Sequence, residues 1–102
     1  MSDRLDLSER DRKEVVRILN TTAPGIEVWV YGSRINGTAY EMSDLDLVLR
    51  GREMEPIDVT ILAAVRNAFS ESNIPILVDV LDWAQIPESF RQEILANCMA
   101  FR

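Results

Sequence analysis

The stretch Asp44-Leu45-Asp46-Leu47-Val48-Leu49 constrains the fold of this chain more than any other. Side chains alternate across a strand, so a strand here turns Leu45 and Leu47 to one face and Asp44 and Asp46 to the other. An acidic pair beside a small apolar core is costly unless a proton or a cation compensates it. The compensation is therefore the clue to the chemistry.

The rest of the chain supplies partners for such a strand. Ile26 to Tyr31 is rich in β-branched and aromatic residues and stops at Gly32, which reads as a second strand, and Ile76 to Leu81 reads as a third. Ser8 caps a helix of about residues 8–22, with Val15, Ile18, Leu19 and Thr22 at helical spacing before Pro24-Gly25. Pro56 suits the first turn of a helix striped by Val59, Leu62, Val65 and Phe69 and closed by Ser72-Asn73. Pro87 opens a last helix with Phe90, Ile94, Cys98 and Phe101 on one face. The expected order is α-β-β-α-β-α, an α+β fold with a small mixed sheet packed against helices. At 102 residues, 47% of them apolar, the chain fits a single domain over 1–102.

Composition removes several classes of function. There is no histidine, so Ser-His-Asp and Cys-His nucleophile systems, imidazole bases and His-containing zinc sites are excluded. The lone Cys98 allows no internal disulfide or thiolate metal cluster, fits a reducing compartment, and reads as a packed thiol. A net charge of −6 argues against direct nucleic-acid binding, which needs a basic face. No apolar run approaches the length of a membrane span, so a cytoplasmic location is expected. Any catalysis rests on carboxylates, hydroxyls or a metal.

A third acid completes the set. Asp79 lies between apolar residues of the third strand, whereas Asp82 precedes Trp83 at its end; Asp79 is the favoured partner of Asp44 and Asp46, and Asp82 a turn or cap residue. Unit charges about 5 Å apart at an effective dielectric of about 20 repel by roughly 3 kcal/mol per pair, so the cluster must hold a proton or a cation. Hard oxygen donors without nitrogen or sulfur suit Mg²⁺ or Mn²⁺, and Mg²⁺ commonly bridges to substrate phosphates. Gly32-Ser33 supplies a phosphate cradle: the glycine allows a sharp turn and close approach, and the Ser33 hydroxyl and the amides of a following short helix can donate. Arg34 adds a forked cation. Phosphate donors facing a carboxylate set suit in-line attack on a nucleotide phosphorus with two metal ions.

Gly32-Ser33, ten residues (34–43) and then Asp44-Leu45-Asp46 resemble the GS-x10-DxD signature of the DNA polymerase β nucleotidyltransferase superfamily. The isolated domain, with its preceding helix, Asp79 strand and closing helix, is similar to the minimal nucleotidyltransferases (MNT) over nearly its whole length. The resemblance implies that Gly32, Ser33, Arg34 and Ser43 serve the nucleotide, that Asp44 and Asp46 bind both metals, and that Asp79 binds the catalytic metal and helps activate the acceptor hydroxyl. It further implies Mg²⁺ (or Mn²⁺) as cofactor, ATP as substrate, and a HEPN-domain toxin as partner, neutralised by transfer of AMP to a hydroxyl, expected to be a tyrosine. Two other outcomes stay open: an antitoxin that masks its partner by binding alone, and a nucleotidyltransferase acting on a small hydroxylated molecule such as an antibiotic. Many relatives read GSRARG where this chain reads Gly32-Ser33-Arg34-Ile35-Asn36-Gly37, so asparagine replaces the second arginine, and Glu41 adds negative charge near the phosphates.

Each marked residue also has a structural reading. Arg34 can pair with Glu41, Ser43 can brace the turn before the strand, and Asp58 can sit at a helix N-terminus, where the macrodipole favours an acid. Trp29, Tyr31, Trp83 and Phe90 read as core or interface aromatics more than as base-stacking residues, and stacking on a base is the minor reading of Tyr40.

Overall fold

The computed structural model describes residues 5–102. Its elements are α1 (Glu9–Thr22), β1 (Glu27–Tyr31), α2 (Ser33–Asn36), β2 (Leu45–Arg50), α3 (Val59–Ser70), β3 (Val78–Asp82), α4 (Glu88–Ala96) and β4 (Cys98–Ala100), with short 3₁₀ turns at Arg52–Met54 and Trp83–Gln85. One four-stranded mixed sheet runs in the order β3-β2-β1-β4. β1 pairs antiparallel with β2 and with β4, while β2 and β3 run parallel across the α3 crossover.

Local chemistry accounts for the boundaries. The Ser8 hydroxyl accepts the Asp11 N–H at 3.1 Å and starts α1, leaving Val15, Ile18 and Leu19 on its buried side. Asp58 caps α3 by accepting the Thr60 N–H at 2.8 Å, the N-terminal position expected of it. That cap corrects the expected start: Pro56 lies outside the helix, and Val59, read as part of the apolar stripe, is 80% exposed. Val65 and Phe69 carry the buried face.

The largest departure is at the C-terminal end. Phe90, Ile94, Cys98 and Phe101 share a helical period, yet α4 ends at Ala96, and Cys98–Ala100 pairs with β1 as a fourth strand. Asn97, at φ −156°, leaves helical space, and its N–H closes the last turn on the Ile94 carbonyl. The open edge of β1 has main-chain donors and acceptors to satisfy, and that demand outweighs the side-chain period.

The sheet has two differently used faces. Val28, Val30, Leu45, Leu47, Leu49 and Val80 pack with α1 and α3 into the larger core. On the other face Tyr31, Val48 and Trp83 pack with Ile94 of α4, flanked by Trp29, Leu81 and Phe90. Arg50 lies over the Trp29 ring at 4.0 Å and within 5.1 Å of Trp83, so its cation covers this second cluster where it meets water. The acidic positions share this second face, beyond the aromatic cluster.

Candidate active site

Register brings the acids together. Asp46 of β2 has Tyr31 of β1 as its antiparallel partner and Asp79 of β3 as its parallel partner, so Tyr31, Asp46 and Asp79 form one row across the sheet. Asp44 lies two residues before Asp46 and on the same side by alternation. Asp44 and Asp79 are exposed and Asp46 is partly buried, while Leu45 and Leu47, on the opposite face of β2, are fully buried.

The electrostatics record the crowding. The Asp46 carboxyl is pushed up to about 6, first by burial and then by the charges of Asp79 and Asp44. The Tyr31 hydroxyl is raised as well, by desolvation first and then by Asp46 and Asp79. Among the described residues no three His, Cys, Asp or Glu side chains close into a metal-binding group. What the three carboxylates share is a face, a charge sign and a cost that a divalent cation would relieve, and an all-oxygen donor set suits Mg²⁺ or Mn²⁺.

Gly32 fits against this group as no other residue could. Its φ of 85° and ψ of −157° lie in a region essentially reserved for glycine, and a Cβ there would run into the Asp46 carboxylate. The backbone therefore passes directly beside Asp46 before turning into α2 at Ser33. Ser33, partly buried, opens that turn, and Gly37 closes it in the left-handed conformation.

Three further residues have assignable places. Asp82, 4% exposed, accepts the Ile57 N–H at 2.9 Å and the Ala84 N–H at 3.0 Å; one carboxylate ties α3's approach to the end of β3. It faces away from Asp79, as a turn and cap residue should. Ser43 accepts the Tyr40 N–H at 3.0 Å through its hydroxyl, which braces the turn before β2 and leaves the O–H free to donate. Arg34 is corrected more sharply. Expected over the phosphates or paired with the Glu41 carboxylate, it is instead 7% exposed and donates to the main-chain carbonyls of Asp6, Glu41 and Ser43 at 2.8 to 3.2 Å.

The sequence reading of Tyr31 as a core or interface aromatic missed its place beside Asp46. The signal was available in principle: pairing the two apolar strands antiparallel through the loop after Gly32 sets a residue at the end of the first against the DxD of the second.

The chain matches the family described as Polymerase beta, Nucleotidyltransferase over residues 13–99. It belongs to that family. A probable protein adenylyltransferase MntA of Haemophilus influenzae is 41% identical over 90 residues, covering 88% of this chain and 77% of that protein. Solved structures share the fold at low identity. A toxin-antitoxin with AMP-PNP superposes with a TM-score of 0.72 at 16% identity over 90% of this chain and 73% of its own. The complex of a tri-AMPylated Shewanella oneidensis HEPN toxin with its MNT antitoxin gives 0.67 at 13% identity over 94% and 72%. The α+β architecture expected from the sequence is thus the nucleotidyltransferase fold, here with β4 added to the expected order. Among the described residues no helix is long and apolar enough to cross a membrane.

Proposed function

We propose that this chain transfers AMP from ATP to a tyrosine hydroxyl of a HEPN-domain toxin and so neutralises it in the cytoplasm. The observation that carries the reading is the close approach of Gly32, a glycine-only backbone turn, to the Asp46 carboxylate that faces Asp79 across the sheet. The 41% identity to a probable protein adenylyltransferase supports the protein acceptor.

Each residue has a role in this reaction. Gly32 and Ser33 hold the triphosphate at the end of β1, and the acceptor hydroxyl attacks in line with the leaving pyrophosphate. Asp44, Asp46 and Asp79 would hold Mg²⁺, which supplies charge neutralisation and Lewis-acid polarisation when bound. The acceptor oxygen bonds to the α-phosphorus as the bond to the β-phosphate oxygen breaks. Pyrophosphate leaves, and the hydroxyl proton passes to the Asp79 carboxylate.

A masking contribution has its own support. Tyr40, Met42 and Leu77 are 74%, 67% and 74% exposed, and Met42 and Leu77 line a groove of about 390 Å³ that includes Asp44. Apolar side chains at the rim of an acidic site suit burial by a protein partner. The D44N/D46N double variant separates the readings. Intact-mass spectrometry of the HEPN protein after incubation with ATP and Mg²⁺ should show AMP added by the wild-type chain and none by the variant, with neutralisation lost. Neutralisation undiminished in the variant would establish masking and overturn the transfer mechanism.

A further inference from the structure

We propose that Arg34 is a positioning residue for Asp44, fixing the loop that delivers this carboxylate while touching no nucleotide. The inference rests on the reading of Asp44 as part of the transfer site. All three guanidinium nitrogens are engaged: Nε donates to the Ser43 carbonyl at 3.2 Å, one terminal nitrogen to Ser43 at 2.8 Å and Glu41 at 3.0 Å, the other to Asp6 at 2.9 Å. Every one of these acceptors is a main-chain carbonyl. The guanidinium therefore reads the path of the chain, and the identity of the side chains along it is immaterial.

Asp44 is clamped from both sides as a result. Its predecessor Ser43 is gripped through the carbonyl by Arg34, and its successor Leu45 donates its N–H to the Leu77 carbonyl at 2.9 Å. Within the loop Tyr40 and Ser43 close a turn on each other, so the Arg34 contacts anchor that turn as a unit. The anchor is itself tied down: the Asp6 N–H donates to the Arg34 carbonyl at 2.7 Å while the Asp6 carbonyl accepts from the Arg34 side chain. The segment before α1 thus helps hold the carboxylate in place. A lysine would bring one point charge in place of a planar fork and could not span carbonyls at three chain positions.

Arg34→Met and Arg34→Lys in the full chain test this. Groups that orient a metal-binding side chain typically matter by about 10- to 100-fold in metal affinity or activity. Arg34→Met should weaken Mn²⁺, added alone and followed by water-proton relaxation, by about that factor, and lower kcat similarly, with Arg34→Lys between it and wild type. Affinity for ATP in excess EDTA should stay within about twofold, because no phosphate contact is lost. Hydrogen exchange at the Ser43 and Leu45 amides should quicken in both variants.

Loss of metal-free ATP binding with Mn²⁺ affinity intact would overturn the proposal in favour of a phosphate contact. Unchanged exchange and unchanged Mn²⁺ affinity would overturn it outright. Should Arg34→Met fail to fold, Arg34→Lys decides by the same measurements. Failure of the enzyme reading looks different: a wild-type chain that neither binds Mn²⁺ nor transfers AMP. Even then, quickened exchange in Arg34→Lys supports the brace and unchanged exchange overturns it.

Discussion

Asp46 and Asp79 stand directly opposite each other in the parallel β2–β3 ladder, two like charges on neighbouring strands. Same-sign pairs at such positions destabilise a sheet. The proposed site accounts for that cost, and the pair makes its electrostatics measurable without any substrate.

Asp46→Asn should abolish AMP transfer, a loss of several kcal/mol of transition-state stabilisation or about a thousandfold or more in kcat. The melting temperature at pH 7 should hold or rise, because burial and two neighbouring charges already oppose ionisation of Asp46. A parallel loss of fold in circular dichroism would show a structural role instead.

The pH dependence of stability follows from the same carboxyl. Its value is raised from 3.8 to about 6, so the native state binds this proton more tightly than the unfolded chain does. Stability from this group is present below about pH 4 and is lost as pH rises to about 6, by about 1–2 kcal/mol once solvent screening of a half-exposed group is discounted. Asp58 and Glu14 are lowered by their hydrogen-bonding partners and act in the opposite sense. Urea unfolding of wild type and Asp46→Asn at pH 4 and pH 7 isolates the effect as the difference between the two curves.

A divalent ion should reverse that penalty. At pH 7, Mg²⁺ or Mn²⁺ at about 100 times its Kd should stabilise the wild-type chain by about 2.7 kcal/mol, and at pH 4 far less, since protonated carboxyls bind poorly. The D44N/D46N variant should show no metal-dependent shift in a thermal-melt titration.

Asp79 and Asp82 should part company on mutation. Asp82→Ala leaves the Ile57 and Ala84 N–H groups without their acceptor and should cost about 2–4 kcal/mol of unfolding free energy. Asp79→Asn should leave stability nearly unchanged and remove transfer. Chemical denaturation and the AMP-transfer assay together form the crossover; swapped results would move the third carboxylate role to Asp82.

Gly32→Ala tests the close approach. A φ of 85° with a Cβ driven into Asp46 should cost about 1–3 kcal/mol and displace the carboxylate. Loss of transfer exceeding that of stability is the expected outcome, read from kcat beside the denaturation midpoint.

Much of this site was legible in the sequence because strand alternation is a strict rule. Asp44, Asp46 and their leucines could point only one way once β2 was recognised, and Gly32 at a strand end announced a backbone conformation that side chains forbid. Asp79 was preferred to Asp82 because it lies between apolar residues within the third strand while Asp82 stands at its end, and the register sets Asp79 opposite Asp46. Arg34 was not legible. A sequence shows a cation near a phosphate cradle, but whether it reaches out or turns inward depends on carbonyls of Asp6, Glu41 and Ser43 that only the folded loop presents. Nor was β4: Cys98 and Phe101 continue a helical period, and only the vacant edge of β1 explains why the chain there becomes extended.

The α3 crossover has a consequence for the order in which the protein is made. The two facing acids are brought together by a parallel pairing that skips the whole span between β2 and β3, so no shorter N-terminal portion assembles the centre. Under the proposed reaction, a nascent chain on the ribosome would gain its activity only once the third strand had emerged and docked.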